Sequence, residues 1–181
     1  MTTLVVSDLH LGGRSGVDVL QDPARRAALL DALDGVDRLV LLGDTLELRH
    51  GPQREALAAA APVLAALGAR VSEAIVVAGN HDHALVDGWL RRRAQSAPEA
   101  MALEQRLAPA EASWAAEQVA GALGVPTAIA YPGLWVRDDV YATHGHLLDA
   151  HTTIPTFERL AVGLTVRLTG DLPPGAGVAD Y

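Results

Sequence analysis

The sequence predicts an α/β fold in which short parallel strands alternate with helices. The first observation is a set of three short apolar runs, rich in Val, Leu and Ile, at residues 3–7, 38–42 and 74–78. The second is that the segments between these runs have the length and pattern of helices. This alternation is typical of a parallel sheet with right-handed crossovers. The run at 3–7 is continuous, so it predicts a strand buried on both faces.

The two helices of this first half have recognisable boundaries. Asp22 followed by Pro23 is a good helix start, because Asp caps backbone N–H groups and Pro fits the first helical position. Gly35 is expected to end this helix. The second helix is predicted over residues 53–68, with a kink at Pro62.

The second half of the chain has a different pattern. Helical stretches at 84–95 and 109–123 lie around a polar break, and we interpret residues 84–126 as a helical insertion beside the sheet. Three short β-like runs follow, and Arg137–Asp139 predicts a hairpin turn between the last two. A final helix is predicted over 155–168, before a loop-like end. The three β-like runs lie at 127–131, 134–137 and 140–143.

Length and composition indicate a single globular domain. The chain has 181 residues, of which 50% are hydrophobic and 20% are charged, and this is enough to bury a sizeable core. It has no cysteine, which excludes disulfide frameworks, thiolate zinc sites and thiol nucleophiles. The net charge of −8 argues against general affinity for nucleic acid or anionic membranes. The sequence shows no targeting signal and no apolar run of membrane-spanning length, so we expect a cytoplasmic protein.

Polar side chains of the metal-ligand type follow four of the predicted strands. Asp8 and His10 come after the first strand, Asp44 after the second, Asn80 after the third, and His144 after the run at 140–143. Open α/β sheets place their ligand sites at the carboxyl ends of strands, so we expect these side chains to converge.

This donor set fits a pair of divalent cations. The spacing of Asp8 and His10 can direct a carboxylate and an imidazole at one ion, and Asp44 can bridge two ions about 3.5–4 Å apart. Asn80 and His144 add an amide oxygen and a second imidazole. Nitrogen and oxygen ligands without thiolate suit Mn, Fe or Zn. Two such ions can activate a hydroxide and clamp phosphoryl oxygens, so the pattern indicates metal-dependent hydrolysis of a phosphate ester.

Four motifs resemble, in this order, those of the calcineurin-like metallophosphoesterase superfamily: SDLHLG, LLGDTLE, AGNHD and THGH. Together they reach from residue 7 to residue 146. The resemblance implies a layered αββα sandwich, with two packed sheets flanked by helices. It also implies hydrolysis of phosphate monoesters, diesters or pyrophosphates, with a small-molecule or lipid-linked phosphate ester as the substrate.

The resemblance implies a role for each metal-type residue. Asp8 and His10 would bind the first ion, Asp44 would bridge the two ions, and Asn80 and His144 would bind the second.

Other residues of these segments would act on the substrate. The resemblance implies that His81 protonates the leaving oxygen or stabilises the transition state, and that Asp82 orients His81. Arg14, in the glycine-rich loop, and His146 are candidates for contacts with the substrate phosphate. Glu47 stands at a position that is often acidic in relatives, but a carboxylate in the first turn of a helix is an equal interpretation.

One expected motif is missing. The family's final Gly-His-x-His, which supplies a further ligand to each metal, has no match, and no histidine follows His151. The loop-like end and the few strands of the second sheet predict that residues 1–181 form one domain whose C-terminal part is absent. The sandwich would then be incomplete. The alternative is a natural variant with two weakened sites.

Two other functions remain open on the sequence. A non-catalytic metal-binding or scaffold module would explain the missing motif, although it has no need of the pair formed by His81 and Asp82. SDLHLG and the Gly-Asp-x-x-Glu segment also resemble pyrophosphohydrolases of nucleotide-linked lipid A precursors, which commonly carry Arg where this chain has His81.

Overall fold

The computed structural model describes residues 1–13, 16–49, 51–96 and 100–147. Within these ranges the strands are β1 (Thr3–Val6), β2 (Arg38–Leu42), β3 (Glu73–Val77), β4 (Glu104–Leu107), β5 (Thr127–Arg137) and β6 (Val140–Thr143). The helices are α1 (Pro23–Ala32), α2 (Gln53–Gly68), α3 (Ala84–Gln95), α4 (Pro109–Ala112) and α5 (Trp114–Leu123). Short 3₁₀ turns lie at Val19–Gln21 and Gly145–Leu147.

The chain divides into two compact units, Met1–His144 and Gly145–Tyr181. The strands and α-helices named above all belong to the first unit, and the turn Gly145–Leu147 is the described part of the second. The helix predicted over 155–168 and the loop-like end lie outside the described residues.

The strands of the first unit form a mixed sheet in the order β1-β2-β3-β5-β4, with β6 paired to β5. The pairs β1–β2, β2–β3 and β3–β5 are parallel, which confirms the parallel arrangement predicted from the alternation of strands and helices. β4 and β6 each run antiparallel to β5. The resemblance implies two sheets. Among the described residues, the strands form one ladder of β1, β2, β3, β5 and β4 and a second ladder of β5 and β6, and the two ladders share β5.

The predicted burial of the first strand is wrong. β1 stands at one end of the strand order, where its residues are half-buried and Val5 is exposed. β2 and β3 have a paired strand on each side, and Leu39, Val40 and Leu41 of β2 are fully inaccessible. A continuous apolar run does not by itself distinguish an edge strand from a central one, because that difference depends on which neighbours pair with it.

Helix α1 begins where the sequence predicts. The N–H of Ala24 donates to the Asp22 carboxylate at 2.8 Å, and Pro23 occupies the first turn. Gly35 has a φ of 72°, a left-handed conformation that glycine adopts without strain, shortly after the helix ends. Among the described residues, no helix is long and apolar enough to cross a bilayer.

Helices α2 and α5 pack closely against each other. A Cβ atom added at Gly68, the last residue of α2, would overlap the backbone of Leu123 at the end of α5. The missing side chain therefore permits this close approach. Leu64 and Leu67 of α2 and Val119 of α5 belong to the same buried core cluster.

The segment 84–126 contains the first predicted helix as α3, but the helix predicted over 109–123 is divided at Ser113 into α4 and α5. It also contains a strand for which the sequence gives no signal. β4 (Glu104–Leu107) pairs antiparallel with β5, from Glu104 opposite Pro132 to Leu107 opposite Ile129. Three of its four residues are polar, so it has no hydrophobic run to reveal it. The segment is therefore not purely helical: it connects β3 to the parallel strand β5 and adds one strand to the sheet edge.

The β-like runs predicted at 127–131 and 134–137 are one continuous strand, β5. It passes through Pro132 and Gly133, which the sequence analysis took as a break, and the Tyr131–Pro132 peptide bond is cis. Its first part pairs with β3 and β4, and its second part pairs with β6. The turn at residues 138–139 between β5 and β6 confirms the predicted hairpin.

Candidate metal centre

The loops after β1 and β2 lie side by side and continue the pairing of these strands. The N–H of Asp8 donates to the carbonyl of Gly43 at 3.1 Å, and the N–H of His10 donates to the carbonyl of Asp44 at 2.9 Å. The two loops form a parallel bridge between Leu11 and Leu46. Motifs that lie over thirty residues apart in the sequence are therefore held together by backbone hydrogen bonds.

Three residues of these loops have left-handed backbones although they are not glycine. The φ angles are 57° at Asp8, 48° at His10 and 48° at Asp44. Such conformations cost about 1–3 kcal/mol each and are found mostly at functional sites. The strain falls on three of the residues predicted to hold metal.

The structure brings acidic and imidazole side chains into two groups that share one residue. Ligand atoms of Asp8, His10 and Asp44 lie within 4.8 Å of one another. The second group, with the same separation, consists of His10, Glu47 and His81. The two groups share His10, and each of them could hold a metal ion.

The imidazole of His10 gives a direct test of whether these residues suit a metal. Its Nδ1 is buried and has no hydrogen-bond partner in the described structure, and the nearest carboxylate oxygen, of Glu47, is 3.4 Å away. Burying a polar atom without a partner costs free energy, which a coordinated cation would recover. The residues therefore fit a divalent ion bound by nitrogen and oxygen.

Glu47 is the residue whose importance the sequence analysis underestimated. It is buried in the loop before α2, not in the first turn of a helix, and its Oε2 lies 2.7 Å from Nδ1 of His81. Its Oε1 accepts the N–H of Arg49 at 3.1 Å. The signal in the sequence was the spacing of Gly-Asp-x-x-Glu, which puts this carboxylate three residues after Asp44.

Asp82 is fully buried and accepts three backbone hydrogen bonds. Its Oδ2 accepts the N–H of Thr45 at 2.8 Å and that of Leu46 at 3.2 Å, and its Oδ1 accepts the N–H of Gly79 at 2.6 Å. Burial raises the pKa of this carboxyl to about 6. The hydrogen bond from Gly79 opposes that rise, and the carboxylate of Asp44 adds to it.

The structure gives the following hydrogen-bond partners for Asp82 and for the ring of His81. Both oxygens of Asp82 are engaged by backbone amides, whereas the imidazole of His81 is hydrogen-bonded by Glu47. The N–H of His81 in turn donates to Oδ1 of Asp44 at 2.8 Å. Asp82 ties the loop after β3 to the loop after β2, and Glu47 fixes the ring.

His144 and the glycines beside it bring the fourth motif to the same place. Nε2 of His144 lies 3.6 Å from a carboxylate oxygen of Asp8 and 3.6 Å from one of Asp44. A Cβ atom at Gly43 would overlap the ring of His144, and one at Gly79 would overlap the carboxylate of Asp44. Only glycine at these two positions permits such close packing.

The remaining candidate residues lie in other parts of the fold or outside the described residues. Asn80 is half-buried in the loop after β3, next to His81. His146 lies in the turn Gly145–Leu147 of the second unit, and Arg14 lies outside the described residues. His83 packs edge-on against Tyr131 at 6.2 Å, and burial lowers its pKa, opposed by the nearby Asp87.

Comparison with known proteins agrees with this geometry. The profile of the calcineurin-like phosphoesterase family matches residues 1–164, which include both donor groups and all of the strands described above. No curated protein matches the chain significantly in sequence. The family comprises hydrolases of phosphate esters that generally bind divalent metal ions. The resemblance seen in the four motifs is thus confirmed, and the chain belongs to the calcineurin-like phosphoesterase family.

Proposed function

We propose that this chain hydrolyses a phosphate ester with the help of two divalent metal ions. The observation that carries the proposal is the group of Asp8, His10 and Asp44, whose ligand atoms lie within 4.8 Å of one another. Nε2 of His144 lies 3.6 Å from a carboxylate oxygen of Asp8 and of Asp44, and the N–H of His81, a residue suited to proton transfer, donates to Asp44.

We propose the following ligands within this arrangement. Asp8 and His10 would hold one ion, Asp44 would bridge, and Asn80 and His144 would hold the second. The mixed nitrogen and oxygen donors suit Mn, Fe or Zn. When bound, the ions would neutralise charge on the phosphoryl oxygens and activate water for attack on phosphorus.

His81 would supply the proton that the leaving alcohol needs. An ionised carboxylate only accepts hydrogen bonds, so the contact of 2.7 Å with Glu47 supports a proton on Nδ1 of His81. As an imidazolium, the ring would pass the proton of Nε2 to the leaving oxygen and keep the proton on Nδ1, which leaves the neutral ring bonded to Glu47. Glu47 is thus a positioning residue, because it fixes the tautomer and the orientation of the ring.

The test is hydrolysis of bis-4-nitrophenyl phosphate in the presence of Mn²⁺, with metal content measured on the same samples. We expect Asp44→Asn to abolish turnover and remove most of the bound metal, because it takes a charge from the shared site. His81→Ala is expected to lower turnover by about 10²–10⁴-fold with metal retained.

The two variants together separate catalysis from metal binding. Equal loss of metal in both would contradict the role given to His81. Metal binding without any turnover in the unaltered chain would favour a non-catalytic metal-binding module.

A further inference from the structure

The group formed by His10, Glu47 and His81 lies beside the proposed catalytic ions and shares only His10 with their ligands. Its ligand atoms lie within 4.8 Å of one another, and we refer to it as the second donor group. Oε2 of Glu47 lies 3.4 Å from Nδ1 of His10 and 2.7 Å from Nδ1 of His81. The two rings stand edge to face, with centroids 4.8 Å apart. One carboxylate oxygen therefore faces two imidazole nitrogens.

These separations are close to those around a four-coordinate zinc ion. With bonds of about 2.0–2.2 Å, tetrahedral zinc keeps neighbouring ligand atoms about 3.3–3.6 Å apart. The distance of 3.4 Å from Glu47 to His10 already has this value, and the distance of 2.7 Å from Glu47 to His81 has to widen by less than about 1 Å. Two imidazoles and one glutamate, with water in the fourth position, form an established ligand set of zinc.

The burial of these atoms also favours a bound cation. Nδ1 of His10 is buried and has no hydrogen-bond partner among the described residues. The side chain of Glu47 is only 1% exposed, so its negative charge is shielded from water. The rings reach the surface, because 19% of the His10 side chain and 25% of the His81 side chain are exposed. A cation can therefore enter from solvent and supply the partner that His10 lacks.

The two donor groups differ in the metal that they favour. The group of Asp8, His10 and Asp44 has two carboxylates and one imidazole, and the side chain of Asp8 is 57% exposed. Carboxylates and water suit Mn²⁺, whereas imidazoles suit zinc, which also binds a given nitrogen and oxygen site more tightly than Mn²⁺ does. The second donor group, with its two imidazoles, is therefore the better zinc site.

We propose that the second donor group is a zinc site and that zinc bound there inhibits hydrolysis. The inhibition rests on the proposed function, since it takes two residues out of that mechanism. A neutral imidazole has one nitrogen that can accept, so His10 does not bind zinc and a catalytic ion together. At His81, zinc replaces the proton on Nδ1, which passes to water, and the neutral ring keeps its proton on Nε2. A neutral imidazole gives up that proton far less readily than an imidazolium does.

The first test is zinc binding by the metal-free 181-residue chain at pH 7.5, measured by competition with a chromophoric chelator. Glu47→Gln removes the charged ligand of the second donor group, and Glu55→Gln makes the same change on the exposed surface of α2. We expect Glu47→Gln to weaken the tightest zinc site at least about tenfold, the lower limit for loss of an outer partner of a metal, and Glu55→Gln to leave it unchanged. Equal zinc affinity in Glu47→Gln and the unaltered chain would overturn the site.

Asp8→Asn should give the opposite pattern, because Asp8 belongs to the group that favours Mn²⁺ and not to the second donor group. We expect this variant to weaken Mn²⁺ binding at least about tenfold and to keep the tightest zinc site. Glu47→Gln should keep Mn²⁺ binding. If zinc affinity fell as far in Asp8→Asn as in Glu47→Gln, the zinc would lie in the other group and the proposal would be wrong.

The ring nitrogens of histidine identify the zinc ligands in the unaltered chain, without any substitution. In the ¹⁵N-labelled chain, we expect one equivalent of zinc to move the Nδ1 signals of His10 and His81 most, because the coordinated nitrogens exchange a proton or a free lone pair for a metal bond. A larger change at His144, with the His81 signal unmoved, would contradict the assignment.

Kinetics then separate this inference from the proposed function. In the hydrolysis of bis-4-nitrophenyl phosphate with Mn²⁺, we expect zinc to lower turnover about 10²-fold or more, the contribution of a general acid, and excess Mn²⁺ to restore it. If zinc supported turnover as well as Mn²⁺ does, the inhibitory role would be overturned and the proposed function would stand. No hydrolysis with any metal would overturn the proposed function and the inhibitory role with it, while the zinc affinities would still decide whether the second donor group holds zinc.

Discussion

Single residues at the candidate metal centre are held in conformations that their side chains alone would not favour. Asp8, His10 and Asp44 all have left-handed backbones, and each carries a side chain that can bind a cation. Asp and His occur in this region more often than most residues, but the conformation still has a cost for any residue other than glycine. The loops are kept there by their mutual backbone hydrogen bonds, so the ligands are preorganised by the sheet.

Asp82 gives a residue-scale prediction about stability. Its oxygens accept three backbone N–H groups, and in Asp82→Asn one oxygen becomes an NH₂ group that cannot accept them. At pH 7.5, above the pKa of about 6 of this carboxyl, we expect a loss of about 1–3 kcal/mol in the free energy of unfolding. Urea denaturation measures the change.

The matched control for that prediction is Asp31→Asn, which makes the same chemical change on the exposed surface of α1. We expect its effect to stay within about 0.5 kcal/mol. If both variants unfolded at the same urea concentration as the unaltered chain, the buried hydrogen bonds of Asp82 would not be stabilising the two loops.

At the scale of elements, Gly68 allows α2 and α5 to pack closely against each other. In Gly68→Ala the new methyl group would overlap the backbone of Leu123, and we expect a destabilisation of about 1–3 kcal/mol. In Gly121→Ala nothing lies within 4 Å of the new atom, and Ala is a better helix former. We expect that variant to be more stable by about 0.5–1 kcal/mol.

Thermal or urea unfolding of the two glycine variants distinguishes packing from propensity. Opposite signs would confirm that Gly68 is required by the helix crossing. The same sign in both would mean that the approach of α2 to α5 adjusts to the extra methyl group.

At the scale of the molecule, the candidate metal centre joins the ends of several strands. Its donors follow β1, β2, β3 and β6, and three of them are the carboxylates of Asp8, Asp44 and Glu47. The carboxylates of Asp8 and Asp44, which have oxygens within 4.8 Å of each other, repel unless a cation lies between them. A bound ion would thus stabilise the folded chain specifically, because the unfolded chain does not assemble these ligands.

Mn²⁺ is therefore expected to raise the Tm. At a free concentration a hundred times the Kd, binding contributes about 2.7 kcal/mol, which corresponds to an increase of roughly 5–10 °C for a chain of this size. EDTA should reverse the shift, and Asp44→Asn should abolish it. An equal rise in Tm for Asp44→Asn would indicate that Mn²⁺ binds elsewhere.

The local sequence was sufficient to predict much of this protein. The alternation of apolar runs and helical segments predicted the parallel sheet. The reason is that strands and helices each have a characteristic spacing of apolar residues along the chain. The placement of Asp8 and Asp44 after β1 and β2 predicted their convergence, because parallel strands end at the same edge of a sheet. His144 meets them although it follows β6, which runs antiparallel to β5.

Other features depend on contacts between segments that are distant in the sequence, and only the tertiary structure decides them. β4 has no hydrophobic pattern and is a strand only because β5 offers it hydrogen bonds. β1 has the pattern of a buried strand and is half-buried because of its position in the sheet. The roles of Glu47 and Asp82 also depend on such contacts. Glu47 is hydrogen-bonded to the imidazole of His81, whereas Asp82 is hydrogen-bonded to backbone amides of the loops after β2 and β3. Both carboxylates lie within a motif, and their roles differ because folding brings different partners to them.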